Sequence, residues 1–258
     1  MRDRSGERRL GPLGKSPGCG GFRRVIDARR FASRDVCHTR IVPLNRSCDC
    51  PGCPNLFTAK AAEEGLRRYR RQGPDRSTGE LLDALVAEGI AGATLLDLGG
   101  GVGVIPLELL SRGAGSAVSI DASGAYVAVA RAEAERRGIA DRSSYREADF
   151  VAVSSDIAPA DVVTLDRMIC CYGDMPALVG RALEHANRLV GLVYPRDAWW
   201  VRRVADVMNL GSALLRRQLR WHIHSEGALN RLVSDAGFQR NLLRRGILWQ
   251  VAIFERSS

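Results

Sequence analysis

The chain has 258 residues, 45% of them hydrophobic and 26% charged, with a formal net charge of +9. That balance suits a globular protein with one α/β core and an appendage. No run of 18 apolar residues occurs and no apolar stretch backs the N-terminal arginines, so a spanning helix and a secretory leader are not expected, and a cytoplasmic location is.

Residues 1–46 carry eleven Arg and one Lys against four acids, so nearly all of the surplus charge lies there. With Gly6, Gly11, Gly14, Gly18, Gly20 and Gly21 and little apolar periodicity, residues 1–55 read as a disordered, basic, cysteine-containing tail. The folded domain is expected over 56–258. A further expectation is that much of 1–46 is upstream sequence, with an alternative start at Val36 or Val42. Seven cysteines do not form an even disulfide framework. Cys48, Cys50 and Cys53, with Cys37 or His38 upstream, leave open either a structural zinc or reduced thiols, and no metal is assigned.

Residues 57–72 set Phe57, Ala61, Ala62, Leu66 and Tyr69 at helical spacing, and Gly73-Pro74 breaks the pattern. A second helix is expected over 77–88, with Leu81, Leu82, Leu85 and Val86 on one face. Strands follow at 93–98 and 117–120, separated by a helical pattern from Val104. Ser123 is placed to cap a helix over 125–137, Glu133 and Arg137 sit four apart on it, and Gly138 ends it. Next come strands at 143–147 and 161–165, a helix at 176–186, a strand at 189–194 stopped by Pro195, and a long helix over 198–217. Trp221-His222-Ile223-His224 alternates like a strand. Ser225 caps a helix at 226–236, and two strands, 238–244 and 247–255, join at Gly246. Strands alternating with helices argue for a mostly parallel sheet, and the short final turn for an antiparallel last pair.

The turn after the first strand reads Asp97-Leu98-Gly99-Gly100-Gly101-Val102-Gly103. Strand, glycine turn and helix in that order form the entrance to a nucleotide-type cofactor site. A dinucleotide fingerprint would need Gly or Ala where Val104 stands. The pattern is instead Asp-x-Gly-x-Gly-x-Gly, which resembles motif I of the class I S-adenosyl-L-methionine (SAM) methyltransferases. The resemblance runs from about Leu56 to Arg256. It implies a Rossmann-like α/β fold, a mostly parallel seven-stranded sheet with an antiparallel closing hairpin, and SAM as cofactor. The segment from Asp161 to Tyr172 and the last strand, Leu248 to Arg256, are similar to bacterial small-molecule methyltransferases, distantly to the magnesium-protoporphyrin O-methyltransferases.

The expected cofactor-binding set is Asp97, Gly99, Gly100, Gly101, Gly103, Asp121, Ala122, Asp149, Phe150 and Asp166. Asp121, ending the second strand, suits the ribose hydroxyls. The resemblance implies that Asp149 meets the adenine amino group, with Phe150 beside the ring. Asp166 falls at the end of the fourth strand, at the mouth of the site. The arginines of Arg67-Arg68-Tyr69-Arg70-Arg71 either reach the SAM carboxylate from a lid or form a solvated face. No catalytic residue is assigned. Asp166, Tyr172, His222 and His224 are candidate bases, and Arg167 and Tyr172 candidates for the substrate side. Cys170 and Cys171 are expected to be buried or pocket-lining. The expected reaction is methyl transfer to a small-molecule acceptor. The alternatives are an NAD(P)-dependent reductase and a non-catalytic SAM-binding protein. A nucleic-acid acceptor is not expected, because the body is near neutral and no proline-rich base-flipping motif follows the fourth strand.

Overall fold

The computed structural model describes residues 57–215 and 220–257. The proposed tail, its cysteine cluster and the alternative start all lie outside the described residues.

Seven strands form one sheet: β1 (Thr94–Leu98), β2 (Ser116–Asp121), β3 (Ser143–Glu147), β4 (Ala160–Asp166), β5 (Ala186–Pro195), β6 (Phe238–Arg245) and β7 (Trp249–Arg256). Their order is β3-β2-β1-β4-β5-β7-β6. The first five pair with one another in parallel, and β7 runs antiparallel to both β5 and β6. The strand order reverses between β1 and β4, which opens a crevice at their carboxyl ends.

The helices are α1 (Ala59–Gln72), α2 (Arg76–Ala87), α3 (Val104–Ser111), α4 (Gly124–Arg136), the single turn α5 (Phe150–Val153), α6 (Met175–Glu184), α7 (Trp199–Leu214) and α8 (Glu226–Asp235). Strand alternation divides the apolar residues between two faces. Leu165, Leu192, Ala252 and Phe254 meet Leu178 of α6 and Leu229 of α8 on one side. Val162, Val193, Val251 and Ile253 meet Leu81 and Leu85 of α2 and Leu109 of α3 on the other. Gly191 in β5 lets α2 come close, since a Cβ there would lie 2.8 Å from Leu81 Cδ1. A third cluster joins Tyr69 of α1 to Leu107, Val127, Ala130 and Tyr145.

Four local expectations are corrected. Val86 faces outward rather than joining Leu81, Leu82 and Leu85. The second helix begins at Arg76, one residue earlier than expected, with Asp75 capping it by accepting from the Thr78 N–H. Ser123 occupies the N-cap position of α4, but its hydroxyl donates to the Phe57 carbonyl at 3.0 Å instead of capping. Residues 221–224 form no strand. Their backbone is held by loop contacts, the Trp221 N–H to Asn209 and the His222 N–H to the Cys170 carbonyl.

Glu133 and Arg137 do pair, at 3.0 Å, within a larger cluster. Glu133 is fully buried and also accepts from Arg70 and Arg136. Arg70 thereby fastens α1 to α4, and Tyr69 adds a hydrogen bond to Glu108. Hydrogen bonds from Arg136, joined by Arg70 and Arg137, outweigh burial and hold the Glu133 carboxyl well below the usual range.

Candidate functional site

A cavity of about 980 Å³ opens at the carboxyl end of the sheet. One end is walled by the glycine turn, Phe57, Tyr69 and Tyr126. The other is walled by Asp75 to Thr78 at the start of α2, by Asp166 and Arg167, and by Gly246 to Trp249 of the β6–β7 hairpin.

At the first end, Gly99, Gly101 and Gly103 have φ of 70°, 54° and 81°, a region that side chains disfavour. Gly100 is required for a different reason. A Cβ there would lie 2.0 Å from Ser119 Oγ and 2.5 Å from Asp97 Oδ2. Beneath the turn, Asp97 is buried, and Oδ1 accepts from Thr164 Oγ1 at 2.7 Å. Burial pushes its carboxyl up to about 7, the Thr164 bond opposes this, and the charges of Asp166 and Asp121 add to it. Asp121 accepts from the Gly101 N–H at 2.9 Å through one oxygen and from the Ser123 N–H at 2.8 Å through the other. It therefore ties the glycine turn to the start of α4. Burial raises its carboxyl more than these two bonds lower it. Phe57 meets Tyr126 edge to face, with ring centroids 5.7 Å apart, and both line the cavity.

At the second end, Arg167 has φ of 56°, the one positive φ among the described non-glycine residues. Such backbone costs about 1–2 kcal/mol and persists where the surroundings hold it. Here the Arg167 N–H donates to the Val193 carbonyl. The guanidinium donates to Asp166 Oδ1 at 3.0 Å and Thr78 Oγ1 at 2.9 Å, pairs with Asp75, and lies 5.8 Å from the centre of the Trp249 ring. Thr78 Oγ1 donates in turn to Asp166 Oδ2. Burial alone would raise the Asp75 carboxyl, but the Arg167 charge and the Thr78 N–H hold it below its ordinary value.

Of the expected cofactor set, Asp97, Gly99, Gly100, Gly101 and Asp166 line the cavity. Gly103 caps α3 just behind the turn, and Ala122 sits exposed between β2 and α4. Asp149 caps α5 by accepting from the Val151 N–H, with Tyr172 a second hydrogen-bonding neighbour. Phe150 is fully buried, its ring edge-on to His185. None of Gly103, Asp121, Ala122, Asp149 and Phe150 forms the cavity wall itself.

From the basic stretch on α1, Arg68 and Tyr69 face the cavity, while Arg67 pairs with Glu63 and Arg70 with Glu133. His224 Nε2 lies 3.1 Å from the carbonyls of both Ile169 and Tyr172, so that nitrogen carries the proton as donor. The His222 and His224 rings stack with centroids 5.9 Å apart, outside the cavity wall. Cys170 is buried, its Sγ 3.8 Å from that of Cys171. Among the described residues no cluster of three His, Cys, Asp or Glu is arranged to hold a metal ion. No helix among them is long and apolar enough to cross a membrane.

Phe57, Asp75, Thr78, Tyr126 and Trp249 were not singled out as site residues by the sequence. Asp75 carried a usable signal, since an Asp after Gly-Pro and before an apolar helical pattern is an N-cap. The others reach the cavity only through tertiary packing.

A family model described as a methyltransferase domain matches residues 66–242. Among solved structures, the chain is similar to magnesium protoporphyrin IX methyltransferase from Synechocystis PCC 6803 with bound S-adenosylhomocysteine. The identity is 18%, the TM-score 0.60, and the match covers 79% of this chain and 97% of that one. It is also similar to an O-methyltransferase family protein from Burkholderia thailandensis, at 19% identity and TM-score 0.58, over 79% of this chain and 64% of that one. A ribosomal protein L11 methylase from Lactobacillus delbrueckii subsp. bulgaricus follows at 15% identity and TM-score 0.51, over 72% and 81%. At these identities the structures speak for the fold. No curated protein matches the sequence.

Proposed function

Because this chain belongs to the methyltransferase-domain family and is a SAM-dependent methyltransferase, we propose that its acceptor is a small molecule held at the Asp75–Arg167–Trp249 end of the cavity. Family membership displaces the reductase alternative. The observation that carries the acceptor reading is the cavity itself. Away from the glycine turn its lining mixes charged, polar and apolar side chains, Asp75 to Thr78, Asp166, Arg167 and Ile247 to Trp249, within one cavity of about 980 Å³.

The residues present fit the cofactor at the near end. The glycine turn leaves main chain open to close approach, Phe57 and Tyr126 offer aromatic faces, and the Asp97 carboxyl lies beneath. We assign Asp97, Gly99, Gly100, Gly101, Gly103 and Asp121 to holding SAM, with Ala122, Asp149 and Phe150 shaping the rim and the wall behind it. Bound there, SAM supplies a methyl group already activated by its positive sulfur.

The protein's own part is to position the acceptor and exclude water. Arg167, fixed by Asp75, Asp166 and Thr78, sets the floor of the acceptor end, and Ile247, Leu248 and Trp249 give it an apolar side. Asp166 is the carboxylate assigned to take a proton from an acceptor hydroxyl, and an amine or thiol would need only desolvation.

Incubation with methyl-labelled SAM and a panel of small hydroxylated, amine and thiol compounds, beside total RNA and protein, tests this. Label recovered in low-mass products supports the reading. Label recovered only in RNA or protein overturns it.

A further inference from the structure

α7 is held to the body by a narrow stripe. Val201 and Ala205 are its buried residues, while Trp199, Val207, Leu210 and Leu214 are 78%, 71%, 61% and 76% exposed. At 100° per residue, Trp199, Arg203, Asp206 and Leu210 fall on one line directed away from that stripe, with Val207 and Leu214 beside it. Their spacing of four, three and four is that of a helix–helix seam rather than of a solvated face. Apolar exposure on this scale marks an interaction surface.

The charges on the line say what covers it. Arg203 and Asp206 are opposite in sign, and neither has a hydrogen-bond or ion-pair partner among the described residues. An antiparallel helix pair with its two-fold axis midway between them sets Arg203 against Asp206 of the second helix, and Asp206 against its Arg203. The same register sets Trp199 against Leu210 at both ends. A surface that complements itself in charge and apolar contact is what an isologous interface requires. A lipid surface fits worse, since it would bury the Asp206 carboxylate beside anionic headgroups.

We propose that the exposed face of α7 is the contact for a second copy of this chain, joined as an antiparallel helix pair through Trp199, Arg203, Asp206 and Leu210. The contact also bears on the site. Asn209 of α7 holds the backbone of Trp221, and the Trp221 ring packs edge to face on Trp249 in the cavity wall.

Sedimentation equilibrium of the full-length chain over a wide concentration range tests the proposal. The expected result is a mass twice that of the chain. Leu210→Glu is expected to raise the dimer dissociation constant at least ~100-fold, because the change occurs twice in the interface. Arg203→Asp is expected to raise it ~10–100-fold by setting like charges together. The double exchange Arg203→Asp with Asp206→Arg is expected to restore it. Far-ultraviolet circular dichroism and S-adenosylhomocysteine binding confirm that each variant is folded. A monomer at every concentration overturns the proposal, as does a dimer insensitive to all three changes. Sedimentation of a monomer with phosphatidylcholine–phosphatidylserine vesicles would assign the face to lipid and overturn it too.

Discussion

The two ends of the cavity are assembled differently. At the glycine end, the contacts that hold the turn join residues close in sequence or on adjacent strands: Asp97 with Ser119 and Thr164, Asp121 with Gly101 and Ser123; Phe57, meeting Tyr126 and Ser123, is a longer-range addition. At the far end they join residues some ninety positions apart, with Thr78 and Asp75 of the α2 N-terminus meeting Asp166 and Arg167 after β4. A short-range site is set by local geometry, whereas a long-range one depends on how α2 docks on the sheet. Substitutions at the glycine end are therefore expected to act on cofactor binding, and those at the far end on the acceptor.

The largest expected effect is at Gly100. Gly100→Val drives a side chain into Ser119 and Asp97 and is expected to cost about 3 kcal/mol by overpacking, read as a lower Tm with loss of S-adenosylhomocysteine binding. An unchanged Tm would mean the turn is looser than described. Glu133→Ala comes next. It leaves Arg70, Arg136 and Arg137 without their buried carboxylate, at about 2 kcal/mol once the partial exposure of the arginines is allowed for. Chemical denaturation measures it. Because Arg70 fastens α1, protease sensitivity around residues 59–72 should rise as well.

Arg167→Ala divides the two ends most sharply. It is expected to lower kcat/KM for the acceptor about tenfold or more, corresponding to ~1.4 kcal/mol, while S-adenosylhomocysteine affinity stays within about threefold. An equal loss in both would merge the two ends into one site.

Per pH unit, the smallest effect is a stability slope. Asp97 is raised in the folded protein to about 7, against about 3.9 unfolded. Between those values the folded state binds the extra proton, so its contribution to stability falls as pH rises from about 4 to 7, by at most ~1.4 kcal/mol per unit. Asp97→Asn should make that fall shallower in ligand-free protein. Glu133 has the opposite sign. Its carboxyl is depressed on folding, so its stabilisation is present above about pH 4 and lost as pH drops below. An Asp97→Asn protein with the wild-type slope would contradict the burial argument.

The same contrast explains what the sequence disclosed. Asp97, the glycines and Asp121 were legible because a strand–turn–helix fixes their spacing, and the central strands because short apolar runs bounded by turn residues and charges mark them. The closing hairpin was legible from Gly246 standing as a turn before the apolar run of the last strand. The Arg67–Arg71 stretch was only half legible. Periodicity placed it on a helix, but which arginine turns to the cavity and which to Glu133 depends on the packing of α1 against α4. Trp221 to His224 misled, because alternation in a short segment does not separate a strand from a loop held by side-chain and carbonyl contacts. Asp75, Thr78 and Trp249 gained their place only when α2 and β7 met Arg167.

Calorimetric titration of S-adenosylhomocysteine into wild-type and Asp121→Ala protein, with NADPH as the parallel ligand, tests the central claim most directly. The account predicts S-adenosylhomocysteine binding with no NADPH binding, and a loss of roughly 1–3 kcal/mol in the folded variant, since Asp121 orders the glycine turn and is assigned charge-assisted hydrogen bonds to the ribose. Equal affinity in both proteins, or binding of NADPH alone, would contradict it.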